Sequence, residues 1–180
     1  LVGSEMCIRD SLTAAPSPPF IARRSTIIAP PGSGQVACTQ PLAASAGASI
    51  LHRGGNALDA AIATAAAMAV TEPCSNGLGG DAFILYFDAA TRRVSGLNGS
   101  GRCAAALTLE AASATAAAAG SGMGLPERHG HTVTAPGAVA AWCDALDAWG
   151  SGTMKLSDIL APAIALAERG FPVAPLTAHY

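Results

Sequence analysis

The charge in this sequence best placed for ligand chemistry is Arg102. It follows Asn98-Gly99-Ser100-Gly101 in a stretch otherwise poor in charge, directly after a segment that reads as a strand. A guanidinium held at a strand exit can form a bidentate pair with a carboxylate, because its planar fork matches two oxygens. On spacing alone the residue reads first as a structural arginine that bonds loop carbonyls, with ligand binding as the alternative. Asp81 follows a glycine-rich loop, Ser75-Asn76-Gly77-Leu78-Gly79-Gly80, and opens the next extended segment. It reads as a turn or cap acceptor in preference to a site carboxylate. The loop itself is not a phosphate cradle: its spacing is neither GxGxxG nor a Walker pattern, and it leads into a strand instead of a helix N-terminus.

Metal chemistry finds little support. His129 and His131 share a loop with Glu127, but no further ligand stands at a supporting spacing, so these read as solvated loop histidines. Cys7, Cys38, Cys74, Cys103 and Cys143 are scattered and odd in number, with no CxxC pair. They read as small buried hydrophobes, mildly favouring a reducing compartment and hence cytoplasm over secretion. No metal site and no cofactor is expected.

Composition narrows the partners. The chain has 180 residues, which fits one domain or a piece of a larger one. Its net charge of −2 offers no basic patch for nucleic acid or an anionic membrane. The longest apolar run, residues 57–70, carries Asp59 and is too short for a bilayer, so it reads as a buried helix and not a membrane segment. Much of the hydrophobic content is alanine, so the core must come from close helix packing around a few larger residues.

The elements that would position Arg102 follow in order. Gln35 to Thr39 is a short extended candidate. Pro41 suits the first turn of a helix that Gly54-Gly55 ends. Asn56 caps a second helix over residues 57–71, stopped by Pro73. Residues 83–87 form a branched and aromatic strand, and residues 93–98 return as its hairpin partner. Thr108 caps an alanine-rich helix to residue 119, and His131 to Thr134 is extended. A helix over residues 138–149 places Val139, Trp142, Leu146 and Trp149 on one face. Ser157 caps a last helix over residues 158–169, bent or split at Pro162 and closed by Gly170. This order suggests α+β layering of helices over an antiparallel sheet. A lone hairpin is not a stable sheet, so its remaining strands are expected beyond Tyr180.

At the ends of the chain, residues 1–11 shift abruptly in composition, and Met6-Cys7-Ile8-Arg9-Asp10-Ser11 resembles translated sequencing-adaptor sequence. Residues 13–19 read as a flexible Pro/Ala/Ser-rich lead-in. The expected division is therefore residues 1–34 as artefact and lead-in, and residues 35–180 as a truncated domain.

Several blocks together resemble a known family. Arg53-Gly54-Gly55-Asn56-Ala57, Asp59-Ala60-Ala61, Glu72-Pro73, Gly77-Leu78-Gly79-Gly80 with Phe83, Pro136-Gly137 with Trp142, and Leu160-Ala161-Pro162-Ala163-Ile164 are similar, in order, to the large subunit of gamma-glutamyltranspeptidases. The resemblance implies an N-terminal-nucleophile hydrolase αββα sandwich, of which this chain is an incomplete N-terminal part. It implies a proenzyme that cleaves itself, a small subunit from the same precursor as partner, and that subunit's N-terminal threonine as nucleophile. Glutathione or another gamma-glutamyl compound would be the small-molecule substrate. No catalytic residue is then expected in this chain; Thr153, after Gly152, lacks a following histidine and reads as loop. The family's carboxylate-binding arginine sits in an Arg-Glu-x-Ala-Pro block. A gapless alignment puts Ser100 at that arginine and Arg102 two places later, with Ala104 at the proline. Ser100 and Arg102 are therefore the candidate substrate-binding residues. The shift also raises a related acylase or amidohydrolase, or a non-catalytic carboxylate-binding homologue.

Overall fold

Glycine and alanine set the central packing. In the computed structural model, which describes residues 26–28, 32, 34–120, 124–126 and 128–179, helix α1 (Pro41–His52) lies along helix α2 (Ala57–Thr71). Gly47 is a point of close approach. A Cβ there would collide with Thr64 Oγ1 and stand 2.8 Å from the Ala60 carbonyl oxygen. Buried Ala43, Ala46, Ala60, Ala63 and Ala67 complete the contact around Ile50 and Ile62. Small side chains bury little area each, so closeness supplies the dispersion contacts that bulk would otherwise give.

Both helices start where their caps dictate. Gln40 Oε1 accepts from Ala43 N at 2.9 Å ahead of Pro41. Asn56 Oδ1 accepts from the Leu58 and Asp59 amides, while Asp59 Oδ2 accepts from Asn56 N at 3.0 Å. This reciprocal pair satisfies the orphan donors of the first turn. It also reaches outward: Asn56 Nδ2 donates to Trp149 O at 2.7 Å, and Asp59 Oδ1 accepts from Ser151 N at 3.3 Å.

Two antiparallel hairpins accompany the helices. Strands β1 (Thr26–Ile28) and β2 (Val36–Cys38) pair Thr26 with Cys38 and Ile28 with Val36. Strands β3 (Ala82–Asp88) and β4 (Arg93–Gly99) pair Ala82 with Gly99 and Asp88 with Arg93. Alternation along β3 puts half-buried Ala82, Ile84 and Tyr86 toward the core. Phe83, Leu85 and Phe87 are exposed.

Helix α3 (Leu109–Ala118) follows, capped by Thr108 Oγ1, which accepts from Ala111 N at 3.2 Å. Helix α4 (Ala138–Trp149) then lies under the second hairpin, where Trp149 stacks on Tyr86 with ring centroids 5.6 Å apart. Helix α5 (Leu156–Arg169) packs on α2 through buried Ile159 and Ala163, Gly170 closes it at φ 78°, and a short helix α6 (Pro175–His179) ends the described chain. Among the described residues no helix is long and apolar enough to cross a membrane.

Four local expectations are revised. Strand β1 falls in the stretch set apart as lead-in. The segment expected to be extended at His131 begins as a 3-10 turn over Gly130–Thr132, because His129 Nδ1 accepts from His131 N at 3.1 Å and the Thr132 hydroxyl donates to His129 O at 2.7 Å. Helix α5 begins at Leu156, ahead of the expected cap Ser157, because the Asp158 carboxylate accepts from Lys155 N at 3.4 Å and closes the turn from within. Among the described cysteines none is fully buried, and Cys74 and Cys103 are exposed because each lies in a loop beyond the end of an element, Cys74 after Pro73 has stopped α2 and Cys103 after β4 has ended. Cys7 and the other residues of the 1–11 segment, residues 13–19 and Glu127 lie outside the described residues.

Candidate functional site

The register of the second hairpin decides what surrounds Arg102. Because Ala82 faces Gly99, Asp81 and Ser100 leave the sheet at the same end. There the chain of Ser100, Gly101 and Arg102 is anchored at each residue. Ser100 N donates to Asn98 Oδ1 at 3.0 Å, Gly101 N donates to Asp81 Oδ1 at 2.7 Å, and Arg102 O accepts from Ala135 N at 2.9 Å. Asp81 is thus an acceptor, as its position in the sequence suggests, but its donor lies twenty residues away instead of in its own turn.

The glycine-rich loop joins the same junction. The Gly80 carbonyl accepts from Gly137 N at 3.1 Å and from Ala138 N at 2.8 Å, so the loop satisfies orphan donors at the start of α4, where Gly137 has no side chain to do so. A Cβ at Gly137 would strike the Gly99 carbonyl and stand 2.9 Å from Gly101 N. One at Gly101 would strike the Ala135 carbonyl. Glycine is required here by close approach of backbones, not by a phosphate.

Against this fixed main chain, Ser100 and Arg102 are both exposed. No described residue accepts a hydrogen bond from the Arg102 guanidinium. The arrangement is a main-chain-anchored loop carrying a hydroxyl and a guanidinium into solvent, and a guanidinium so placed can pair with an anionic, planar oxygen group.

The remaining candidates lie elsewhere. His131 Nδ1 pairs with Thr115 Oγ1 at 3.2 Å and its ring meets His129 edge-on at 4.7 Å, so this pair packs the loop onto α3. Thr153 sits in the exposed loop after α4, its hydroxyl 2.8 Å from Ser151 Oγ, at the far end of that helix from Gly137. Burial pushes the Cys38 thiol pKa up, which keeps it protonated and unreactive. Clefts of about 250 and 600 Å³ are lined by neither Ser100 nor Arg102; the larger runs between residues 34–37 and the small side chains of α1 and α2. The contact that sequence reading missed is Asp81 to Gly101. The strand register was the available signal, since pairing residue 82 with 99 brings 81 beside 100.

Known proteins share these elements. The structure is similar to Helicobacter pylori gamma-glutamyltranspeptidase, with TM-score 0.71 and 28% identity over 84% of this chain and 42% of that one. It is similar to cephalosporin acylase from Bacillus halodurans, with TM-score 0.68 and 40% identity over 94% of this chain and 30% of that one. In sequence it is 37% identical over 140 residues to the glutathione hydrolase proenzyme of Bacillus subtilis strain 168, covering 78% of this chain but 23% of the relative. The α+β arrangement is accordingly part of the N-terminal-nucleophile hydrolase sandwich expected from the sequence. A model of the gamma-glutamyltranspeptidase family matches residues 43–180, a span that holds most of α1, the capped α2, the β3–β4 hairpin and the anchored Arg102 loop alike, and the chain belongs to that family.

Proposed function

We propose that residues 35–180 form the N-terminal part of the large subunit of a gamma-glutamyltransferase or glutathione hydrolase-like enzyme, and that Arg102 and Ser100 hold the α-carboxylate of its substrate. The observation that carries this reading is the loop of residues 100–102, anchored at every residue while its guanidinium stays free of described acceptors. The substrate would be glutathione or another gamma-glutamyl compound. The partner would be the small subunit cut from the same precursor.

In that reading the nucleophile is a threonine on a part of the protein that this sequence does not contain. Its hydroxyl attacks the γ-glutamyl carbonyl, and its own α-amino group or a water takes the proton. Backbone N–H groups hold the oxyanion of the tetrahedral intermediate. The C–N bond breaks, the amine leaves with a proton, and water or a second amine then takes the acyl group. What residues 100–102 add is orientation: a carboxylate fixed at one end of the donor places its carbonyl for attack. The reading needs neither a cofactor nor nucleic acid.

A second reading is an acylase or amidohydrolase with a different donor. It is favoured by the 40% identity to the Bacillus halodurans cephalosporin acylase, and by serine where the family's arginine stands. The full-length protein separates the two. Hydrolysis of a γ-glutamyl anilide well above that of a glutaryl anilide, which keeps the terminal carboxylate but lacks the α-amino group, and above that of a butyryl anilide, which lacks both, supports the first reading. A preference for glutaryl or other acyl amides supports the second. Hydrolysis of neither, with a processed and folded protein, overturns both and leaves a carboxylate-binding homologue.

A further inference from the structure

We propose that Asp81 is a positioning residue for the Arg102 site. The proposal rests on the reading of Ser100 and Arg102 as the carboxylate-binding pair, and it adds a residue from the opposite side of the hairpin. Asp81 Oδ1 accepts from Gly101 N at 2.7 Å. Gly101 is the single residue between Ser100 and Arg102. It cannot be held through a side chain, because a Cβ there would strike the Ala135 carbonyl and stand 2.6 Å from Thr134 Oγ1. Its amide is the handle that remains, and Asp81 takes it.

The contact forms one half of a clamp. From the other side, Ala135 N donates to Arg102 O at 2.9 Å. The peptide group joining Gly101 to Arg102 is therefore gripped near both ends, by residues from separate segments of chain. A charged acceptor makes this a short, strong bond compared with a neutral one. An exposed bond adds little to global stability because water replaces it. Its larger consequence is on placement, since a guanidinium displaced by about 1 Å loses much of its effect on a bound group. Asp81 thus sets where Arg102 stands without itself touching the substrate.

The test uses the full-length processed protein with two variants and two readouts. Asp81→Ala removes the acceptor; Asp81→Asn keeps an oxygen acceptor and removes the charge. Hydrogen exchange over residues 96–104 reports the loop directly, without activity. Asp81→Ala is expected to speed that exchange. It should also raise KM for a γ-glutamyl anilide about three- to tenfold, the range of one lost hydrogen bond, with kcat changed less than about twofold. KM for a butyryl anilide, which has no carboxylate to hold, should not move. Asp81→Asn should restore most of both effects. Unchanged exchange in Asp81→Ala overturns the proposal. So does failure of Asp81→Asn to restore KM while exchange is normal, because the carboxylate would then be contacting the substrate's amino group. If exchange quickens but neither KM moves, and Arg102→Ala is equally silent, the carboxylate-site reading fails and the contact survives only as a loop brace.

Discussion

The Arg53 guanidinium donates to the main-chain carbonyl of Asp158 at 3.3 Å. That carbonyl is the one a helix would bond to the amide of residue 162, and residue 162 is proline. Helix α5 runs through Pro162 without a break, and a side chain from the end of α1 donates where the missing amide would.

Arg53→Ala is therefore expected to destabilise the full-length protein by roughly 0.5–1.5 kcal/mol, toward the low end because the pair is exposed. In a Pro162→Ala background the carbonyl regains its helical donor, and the cost of Arg53→Ala should shrink. A double-mutant cycle by denaturant unfolding measures this. Equal costs in both backgrounds would show that Arg53 acts through something other than the orphan carbonyl.

A second prediction concerns the outer face of the β3–β4 hairpin. Phe83 is 70% exposed, Leu85 82%, and Val94, opposite Phe87, 66%. In a two-sheet sandwich such a face meets the second sheet, so residues 26–180 expressed alone should aggregate or bind a hydrophobic dye. Replacing Phe83, Leu85 and Phe87 by threonine together should suppress that behaviour in the isolated piece and abolish assembly of the full-length protein. A wild-type piece that stays monomeric and unfolds cooperatively would count against it.

Asp88 provides a pH-dependent prediction. Its carboxylate accepts from Thr91 Oγ1 at 2.7 Å and Ala90 N at 2.9 Å, and these hydrogen bonds, the threonine's foremost, hold its pKa below the usual carboxylate range. A pKa lower in the folded than in the unfolded chain gives stability that is present above the unfolded value of about 3.9. That stability is lost as pH falls through the folded value. Asp88→Ala should therefore lower unfolding stability at neutral pH and differ progressively less from wild type in acid. A difference that stays constant from neutral pH to below the folded pKa would mean the turn does not depend on the ionised carboxylate.

What was legible in the sequence is what local chemistry controls. Asn56 and Pro73 bracket α2 because a cap and a ring act within one turn, and the hairpin is readable because residues 83–87 of β3 are branched or aromatic at every position. Strand β1 was not, since Thr26–Ile28 is too short to show alternation and its partner lies across residues 29–35. The Lys155 start of α5 was hidden because Ser157 is the better cap by type, and the Asp158 carboxylate on the Lys155 amide overrides it. Arg102 stood out as a charge in a poor region, and Ser100 only through the resemblance to the family's arginine block. The clamp that holds them was not visible, because Asp81, Gly101 and Ala135 meet only once the register and the α4 lead-in are in place.

The last prediction concerns Arg102 itself. In the full-length protein, Arg102→Ala should weaken a γ-glutamyl donor by about ten- to a hundredfold, the loss of one charge-assisted pair worth roughly 1.5–3 kcal/mol. Solvent competes for an exposed guanidinium, so the upper figure requires that the bound substrate exclude water from the pair. Arg102→Lys should recover only part, because an ammonium keeps the charge but not the planar fork. Ser100→Ala should cost less than either, since a neutral hydroxyl contributes a weaker bond than a guanidinium. The measurement is kcat/KM on the γ-glutamyl anilide and on the butyryl anilide, which lacks the carboxylate, for all three variants. A loss confined to the γ-glutamyl donor places the carboxylate at Arg102. Equal losses on both donors would make Arg102 structural. No loss on either would mean that the shift of two residues from the family's arginine position has taken the guanidinium out of the site, and that the substrate's carboxylate, if it has one, is held by another part of the protein.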